Sequence, residues 1–417
     1  MLLTRRGALA LGSAGLLMPR RLFAGATNER KFLFLFNPGG WDITGVFAPV
    51  FNETTDHFEG DEASEAGGLP FVDSPVRPSV RTFFENWGSK TCMVNGLQVP
   101  SVAHDVCTLL MMTGESRGGM DDWVSIVAGN GQPGRLLPNI HMSGPIFPHT
   151  YVSATVRVGL SGQLPGLVTG AAFANSDVPM STHAAEVEAL QEAFVRRRLD
   201  AWEASTRAGF AAEMAAKEQL ARTRAEQLPG LVDVLTVQDA DDVYDVASVI
   251  VRSLAAGLSR TGVVAYGAGG NGLWDTHSGN EAQSGYFESV FSALDRLLTD
   301  MDATPGEYGG TLLDETTVVV MSEMGRTPQR SASGGKDHWT YTSTLLIGSG
   351  IAGGRTVGAW SELLTGEKVD LASGDVSDTG VSLLPGHIGA TLLALADIDP
   401  AEFVDPAAGD VIEGILA

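Results

Sequence analysis

Beyond residue 241 the chain alternates apolar runs of strand length with amphipathic runs of helix length, and few folds accommodate that order. "DDVYDVASVIVRSLAAGL" (241–258) has helical periodicity, "TGVVAYGA" (261–268) reads as a strand, and "SGYFESVFSALDRLLTDM" (284–301) reads as a helix. "ETTVVVMS" (315–322) and "STLLIGS" (343–349) are strands, and "GHIGATLLALADI" (386–398) is a closing helix. Nearer the start, "KFLFLF" runs into the turn Asn37-Pro38-Gly39-Gly40, "TCMVNG" (91–96) is a short strand, and "HDVCTLLMM" (104–112) is a helix stopped at Thr113-Gly114. Strands separated by helical crossovers predict an α/β fold, a mainly parallel β-sheet sandwiched by helices. In such sheets ligands gather beyond the carboxyl ends of the strands.

Three stretches break the alternation. Residues 52–80 are acidic and rich in Gly and Pro, which predicts surface loop. Residues 129–182 are rich in Gly, Pro and Ser, with short β-type pieces such as "YVSATVRVGL", which predicts an irregular insertion. Residues 183–228 change to Ala, Glu, Arg and Leu, which predicts a helical arm. The rest of 27–417 is expected to form one domain.

The first 26 residues are different again. Arg5-Arg6, a short apolar Ala/Leu/Gly stretch and Ala24-Gly25-Ala26 resemble a twin-arginine export signal with its cleavage site. The expectation is a mature protein delivered by the twin-arginine machinery to the periplasm or the exterior. No later run reaches the length of about 18 apolar residues that a membrane span needs, so the mature chain is expected to lack a transmembrane segment.

Composition excludes several function classes. The net charge of −23 becomes −27 once residues 1–26, with four arginines and no acid, are removed. A field of that sign repels nucleic acid, so none is expected as a partner. The two cysteines, Cys92 and Cys107, are too few for a disulfide framework or a thiolate metal cluster. There is no Gly-x-x-x-x-Gly-Lys-Ser/Thr loop and no Gly-x-Ser-x-Gly elbow. "GAGGNG" (267–272) lacks the following helix that a dinucleotide turn requires.

The acids and histidines fall where chemistry is expected. Asp42 follows the first strand, Asp275 and His277 in "GLWDTHSGN" follow the strand at 261–268, and Glu323 ends the strand at 315–322. Asp337 and His338 in "GGKDHW" precede the next strand. All six fall on one rim of a parallel sheet, and carboxylates converging with imidazoles there are the usual means of holding a divalent metal. Taken singly, Asp42 reads as a turn former or helix cap, and Glu323 reads as an ion-pair partner of Arg326. His57, His141, His149 and His183 read as surface or structural residues.

The motifs "GGWD", "GLWDTHSGN", "SEMGRTP", "GKDHW" and "GSGIAGGRTVGA" resemble the alkaline phosphatase, sulfatase and phosphoglycerate mutase superfamily. Within it they resemble a bacterial, twin-arginine-exported, sulfatase-like branch whose activity is undefined. The resemblance implies an alkaline phosphatase-like sheet and one or two divalent ions, with Zn, Ca, Mg and Mn left undistinguished. It implies metal ligands at Asp42, Asp275, His277, Glu323 and His338, with Asp337 beside them. Two positions depart from the pattern. Met324 stands where a metal-binding His is expected, and His104 stands where sulfatases carry a Cys or Ser nucleophile; Ser101 is the nearest substitute hydroxyl. His387 is implied to be a structural cap of the last helix.

Two functions follow as expectations. One is a metal-dependent hydrolase of phosphate or sulfate esters, with His104 or Ser101 in the catalytic role and a small or polymer-borne anionic ester as substrate. The other is a non-catalytic exported binding or surface-assembly protein that keeps the fold.

Overall fold

The computed structural model describes residues 29–160, 162–169, 185–205, 209–267 and 273–417. The twin-arginine segment, His183 and most of "GAGGNG" lie outside the described residues. In chain order the strands are β1 (Lys31–Phe36), the hairpin β2 (Glu62–Ala66) and β3 (Leu69–Asp73), β4 (Thr91–Gln98), β5 (Asn139–His141) and β6 (Thr155–Arg157). They continue with β7 (Thr261–Ala265), β8 (Thr316–Met321), the small hairpin β9 (Gly325–Arg326) and β10 (His338–Trp339), β11 (Tyr341–Gly348) and β12 (Arg355–Val357).

Eight of these form one sheet in the order β12-β4-β11-β8-β1-β7-β5-β6. β1 is parallel to β7 and β8, β5 is parallel to β6 and β7, and β12 is parallel to β4. β11 alone runs antiparallel to both its neighbours, β4 and β8. The fold is therefore α/β with a mainly parallel sheet, as the alternation of elements predicts.

The apolar strands are continuous and not alternating because both faces are covered. Phe32, Phe34 and Phe36 of β1 enter one core, while Leu33 and Leu35 enter the other. The leucine-side core is shared with helices α1 (Pro78–Trp87), α8 (Val243–Ala255) and α9 (Ala282–Ala303), and the phenylalanine side is shared with α2 (His104–Thr113), α3 (Trp123–Gly129) and α10 (Pro385–Leu395). Local caps set several ends: Asp122 and Asp242 accept N–H groups at the starts of α3 and α8, and Gly114 at φ 76° closes α2.

Two expectations are revised. Residues 62–73, expected as loop, form the β2–β3 hairpin, whose Leu69, Phe71 and Val72 are buried in the core. Part of the stretch expected as an irregular insertion is built into the sheet, since Asn139–His141 and Thr155–Arg157 are its last two strands. These strands are only three residues long, too short to leave a readable period. The stretch expected as a helical arm contains α5 (Ala185–Ser205) and α6 (Phe210–Gln227), tied by Arg196–Glu226 and Arg222–Glu192 ion pairs. Short helices α4 (Gln163–Thr169) and α7 (Val232–Leu235) flank it. Among the described residues no helix is long and apolar enough to cross a membrane.

β7, β1 and β8 lie side by side, and Ala265, Phe36 and Met321 stand in register at their carboxyl ends. The loops that follow these strands meet at one place.

Candidate functional site

The turn after β1 lies against two other loops because it is glycine. Gly39 has φ +117°, and a Cβ there would come within 2.5 Å of the Asp275 backbone nitrogen. Gly335 is equally confined, its hypothetical Cβ only 2.0 Å from the His277 carbonyl carbon. Beneath them Trp274 packs edge-on against Phe287 and Trp41, which seats the Trp274–Asp275 corner on the core. Gln283 of α9 fastens the same corner: its side-chain oxygen accepts the Asp42 N–H at 2.6 Å and its amide donates to the Trp274 carbonyl at 2.8 Å.

Histidine side chains meet on this platform. His104, the first residue of α2, donates from Nδ1 to Glu323 Oε1 at 2.7 Å. His338 donates from Nδ1 to the Val102 carbonyl at 2.6 Å, and His277 Nδ1 faces Asp337 Oδ1 at 3.0 Å. With each Nδ1 edge turned to an oxygen, each Nε2 is turned to the remaining carboxylate, Asp275. Its Oδ1 is 3.4 Å from His104 Nε2, 3.1 Å from His277 Nε2 and 3.3 Å from His338 Nε2. The Nε2 atoms of His277 and His338 are 3.0 Å apart. His104, Asp275 and His338 form the compact trio, each offering a ligand atom within 4.8 Å of the others. His277, half exposed, sits beside them.

Asp275 Oδ1 also accepts Arg326 Nη2 at 2.6 Å, and one carboxylate oxygen has about two lone-pair sites. It cannot serve Arg326 and three imidazoles together, and His104 Nε2 is a buried nitrogen with no hydrogen-bond partner among the described residues. An electron-poor centre among the Nε2 atoms would satisfy all of them. The donor set therefore fits a divalent metal, and the Nδ1 acceptors are the outer partners such ligands require.

Electrostatics agree with the contacts. The Glu323 hydrogen bond and charge outweigh burial and hold the His104 imidazole above its ordinary pKa. Burial by itself would raise Asp275, but the hydrogen bond and charge of Arg326 outweigh it and hold the carboxyl below the usual carboxylate range.

Several sequence-predicted residues have other partners. Asp42 is fully buried and outside the trio. Its oxygens accept Thr44 N and Oγ1 at 3.0 and 2.8 Å, Asn280 Nδ2 at 2.7 Å, and the Lys336 ammonium at 3.1 and 2.9 Å. These donors use its lone pairs, so Asp42 caps the short 3-10 turn Ile43–Gly45 and pairs with a lysine. Burial pushes its pKa up, but the Lys336 charge and the hydrogen bonds from Lys336, Thr44 and Asn280 bring it below the ordinary value. Glu323 and Asp337 face the Nδ1 edges of His104 and His277, so they stand behind the cluster and not within it. Met324 is fully buried in the phenylalanine-side core. Ser101 Oγ accepts the Ala103 N–H at 3.1 Å, at the entry to α2. Among the described residues no Ser, Thr or Cys side chain is hydrogen-bonded to the three imidazoles or to the Asp275 carboxylate.

Two buried cations are additions to the expected set. Lys336 and Arg326 are both completely buried. Arg326 pairs with Asp275 and not with Glu323, and it also donates to the carbonyls of Gly39, Gly40 and Lys336, bracing the three loops. Both lie inside motifs already singled out, "GKDHW" and "SEMGRTP". Their basic character inside otherwise ligand-like motifs is the signal that was available. His387 caps α10 as expected, its Nδ1 accepting the Leu384 N–H at 3.0 Å.

Fold and site together define an α/β protein with a histidine–aspartate cluster at the carboxyl rim of its parallel sheet. The chain belongs to the family described as "Protein of unknown function (DUF1501)", whose model matches residues 81–412. No curated protein matches its sequence. Among solved structures it is similar to Ps i-CgsB in complex with k-i-k-neocarrahexaose, at 10% identity and a TM-score of 0.37, covering 92% of this chain and 75% of the other. It is similar to the lipoteichoic acid synthase LtaP from Listeria monocytogenes at 10% identity and a TM-score of 0.38, covering 94% and 78%. A third similarity is to BT4656 in complex with its substrate D-glucosamine-2-N,6-O-disulfate, at 10% identity and a TM-score of 0.33, covering 93% and 80%. Similarities this distant leave the chemistry to be argued from the chain's own residues.

Proposed function

We propose that the chain is an exported, metal-dependent hydrolase of anionic esters, phosphate or sulfate, working at the rim cluster. The observation that carries this reading is the convergence of His104 Nε2 and His338 Nε2 on Asp275 Oδ1, with His104 Nε2 lacking a hydrogen-bond partner among the described residues. His104, His338 and Asp275 would hold a divalent ion, with His277 adjoining. When bound there, such an ion supplies Lewis-acid polarisation of an ester oxygen and offsets charge developing in the transition state.

The chain's own groups do the rest. Glu323 accepts the hydrogen bond from His104 Nδ1–H and thereby aims its Nε2 lone pair, and the Val102 carbonyl does the same for His338. Arg326 anchors Asp275. His277, with Nδ1 on Asp337, is the most exposed imidazole of the cluster and would exchange a proton with an arriving ester. Residues 1–26 act in this reading as the twin-arginine signal, and the mature protein works in the periplasm or outside the cell.

A panel of phosphate and sulfate esters, assayed with each of several divalent ions, tests the reading. Turnover that depends on added metal and is lost in His104→Ala and His338→Ala is the expected result. No turnover on any ester with any metal would overturn it.

A second reading, a non-catalytic exported binding or surface-assembly protein, is favoured by one observation. Asp42 is neutralised by Lys336, and among the described residues no hydroxyl or thiol side chain is hydrogen-bonded to the cluster. Turnover abolished by His104→Ala removes it.

A further inference from the structure

We infer that the rim cluster is a single-ion site of the nitrogen-preferring, zinc class, and that the Lys336 ammonium holds the place beside Asp42 that a second cation would need. This rests on the reading of the cluster as a divalent metal site.

The donors decide the class of ion. Two imidazole nitrogens and one carboxylate oxygen make up the compact trio, with a third imidazole adjoining. Calcium takes about six to eight oxygen ligands, and magnesium keeps oxygen ligands and several waters. Neutral imidazole suits zinc and its neighbours in the first transition row. The imidazoles are also pre-set for this role: Glu323 and the Val102 carbonyl fix the tautomers of His104 and His338 with Nε2 facing inward.

Spacing agrees. Four ligands about 2.0–2.1 Å from a tetrahedral ion stand roughly 3.3 Å from one another. Within the trio Asp275 Oδ1 stands 3.4 and 3.3 Å from the His104 and His338 Nε2 atoms, while His277 Nε2, 3.1 Å from Asp275 Oδ1 and 3.0 Å from His338 Nε2, adjoins on one side and is not part of the compact group. His104 Nε2 faces Asp275 Oδ1 with no hydrogen-bond partner among the described residues, which leaves its lone pair for an ion shared with Asp275 and His338.

The count of one follows from Asp42. Lys336 Nζ contacts both its oxygens, at 3.1 and 2.9 Å, and also Thr44 Oγ1 at 2.7 Å and the Asp56 carbonyl at 2.9 Å. Four oxygens already surround the ammonium, so the negative charge that would draw a second ion is met from within the chain. Glu323, the next candidate, is occupied by His104 Nδ1 and by the Gly39 N–H at 2.7 Å.

The test is metal binding by the purified protein, without any assay of activity. Chelator-stripped protein is titrated separately with Zn2+, Co2+, Mn2+, Mg2+ and Ca2+, bound metal is counted by elemental analysis, and the visible absorption of the Co2+ form is recorded. The expected result is one equivalent of Zn2+ or Co2+, the intense visible bands of a tetrahedral Co2+ site, and no displacement by Mg2+ or Ca2+ in large excess. His338→Ala and Asp275→Asn, checked for retained fold by circular dichroism, should each weaken binding at least as much as loss of an outer partner does, about 10–100-fold. Two equivalents, the weak bands of octahedral Co2+, or a preference for Mg2+, Mn2+ or Ca2+ would overturn this inference and leave the hydrolase reading standing. Absence of any bound divalent ion would overturn both.

Discussion

Lys336 Nζ lies 2.9 Å from Asp42 Oδ2 with neither side chain exposed to solvent. The two residues are far apart in sequence, in the turn after β1 and in the loop before β10, and their pairing ties those two loops together.

Removing one partner of a buried ion pair leaves an uncompensated charge, at a cost of about 3–5 kcal/mol. Lys336→Met and Asp42→Leu should each lose stability on that scale in denaturant unfolding. The double variant should lose much less than the sum, because no lone charge remains. Additive losses would show that the two residues do not act as a pair.

Acid should weaken the protein through its buried histidines before it reaches its carboxylates. Burial holds His141 and His387 below the ordinary imidazole pKa, so both are neutral when folded and protonate more readily when unfolded. Their contribution is complete above about pH 6.5 and is lost as the pH falls below that value toward their folded pKa. Protonated His387 would also lose its role as acceptor for the Leu384 N–H. A thermal melt series from pH 7.5 downward should show a falling midpoint, and His387→Gln should flatten part of the slope. The Asp42 carboxyl, held low by Lys336, adds its own loss only when the pH falls through its depressed pKa, below about 3.8.

Glu323 and Asp337 face imidazoles in the same way but in different surroundings. The Glu323 side chain is 2% exposed and that of Asp337 is 72% exposed. A buried carboxylate orients its imidazole far more rigidly than one in water. Glu323→Gln should therefore lower metal affinity by about 10–100-fold, and Asp337→Asn should have a much smaller effect in the same titration. Equal effects would place Asp337 among the rigid supports of the site.

The site depends on backbone at the glycine turn. Gly39→Ala puts a side chain at φ +117° and within 2.5 Å of the Asp275 nitrogen. Backbone strain of this kind costs on the order of 1–3 kcal/mol, and displacement of Asp275 should weaken metal binding as well. Unfolding and metal titration of the same variant measure both; an unchanged affinity would separate the turn from the site.

The elements around the site were legible to very different degrees. β1 was expected to begin and end where it does, because six consecutive apolar residues followed by Asn-Pro-Gly-Gly carry their own start and stop. The rim position of Asp275, His277, Glu323 and His338 was legible for the same reason, since each sits at the end of a readable strand or in the loop beyond it. His387 at the start of α10 was legible as a local cap, whereas Ser101, expected as a substitute nucleophile, accepts the Ala103 N–H instead. The three-residue strands β5 and β6 were not, and neither was the reversal of β11, which depends on its neighbours across the sheet.

By itself, then, the sequence determined the α/β class, the strand ends and the collection of acids and imidazoles at one rim, because hydrophobic period and turn chemistry act over a few neighbouring residues. Only the tertiary structure decided which side chain faces which. It turned Met324 into the core, gave Asp42 to Lys336 and Asp275 to Arg326, and set Glu323 behind His104 from 219 positions away. Those choices are fixed by the close packing of distant loops, where a few tenths of an ångström separate a ligand from a support, and no local pattern in the chain encodes that distance.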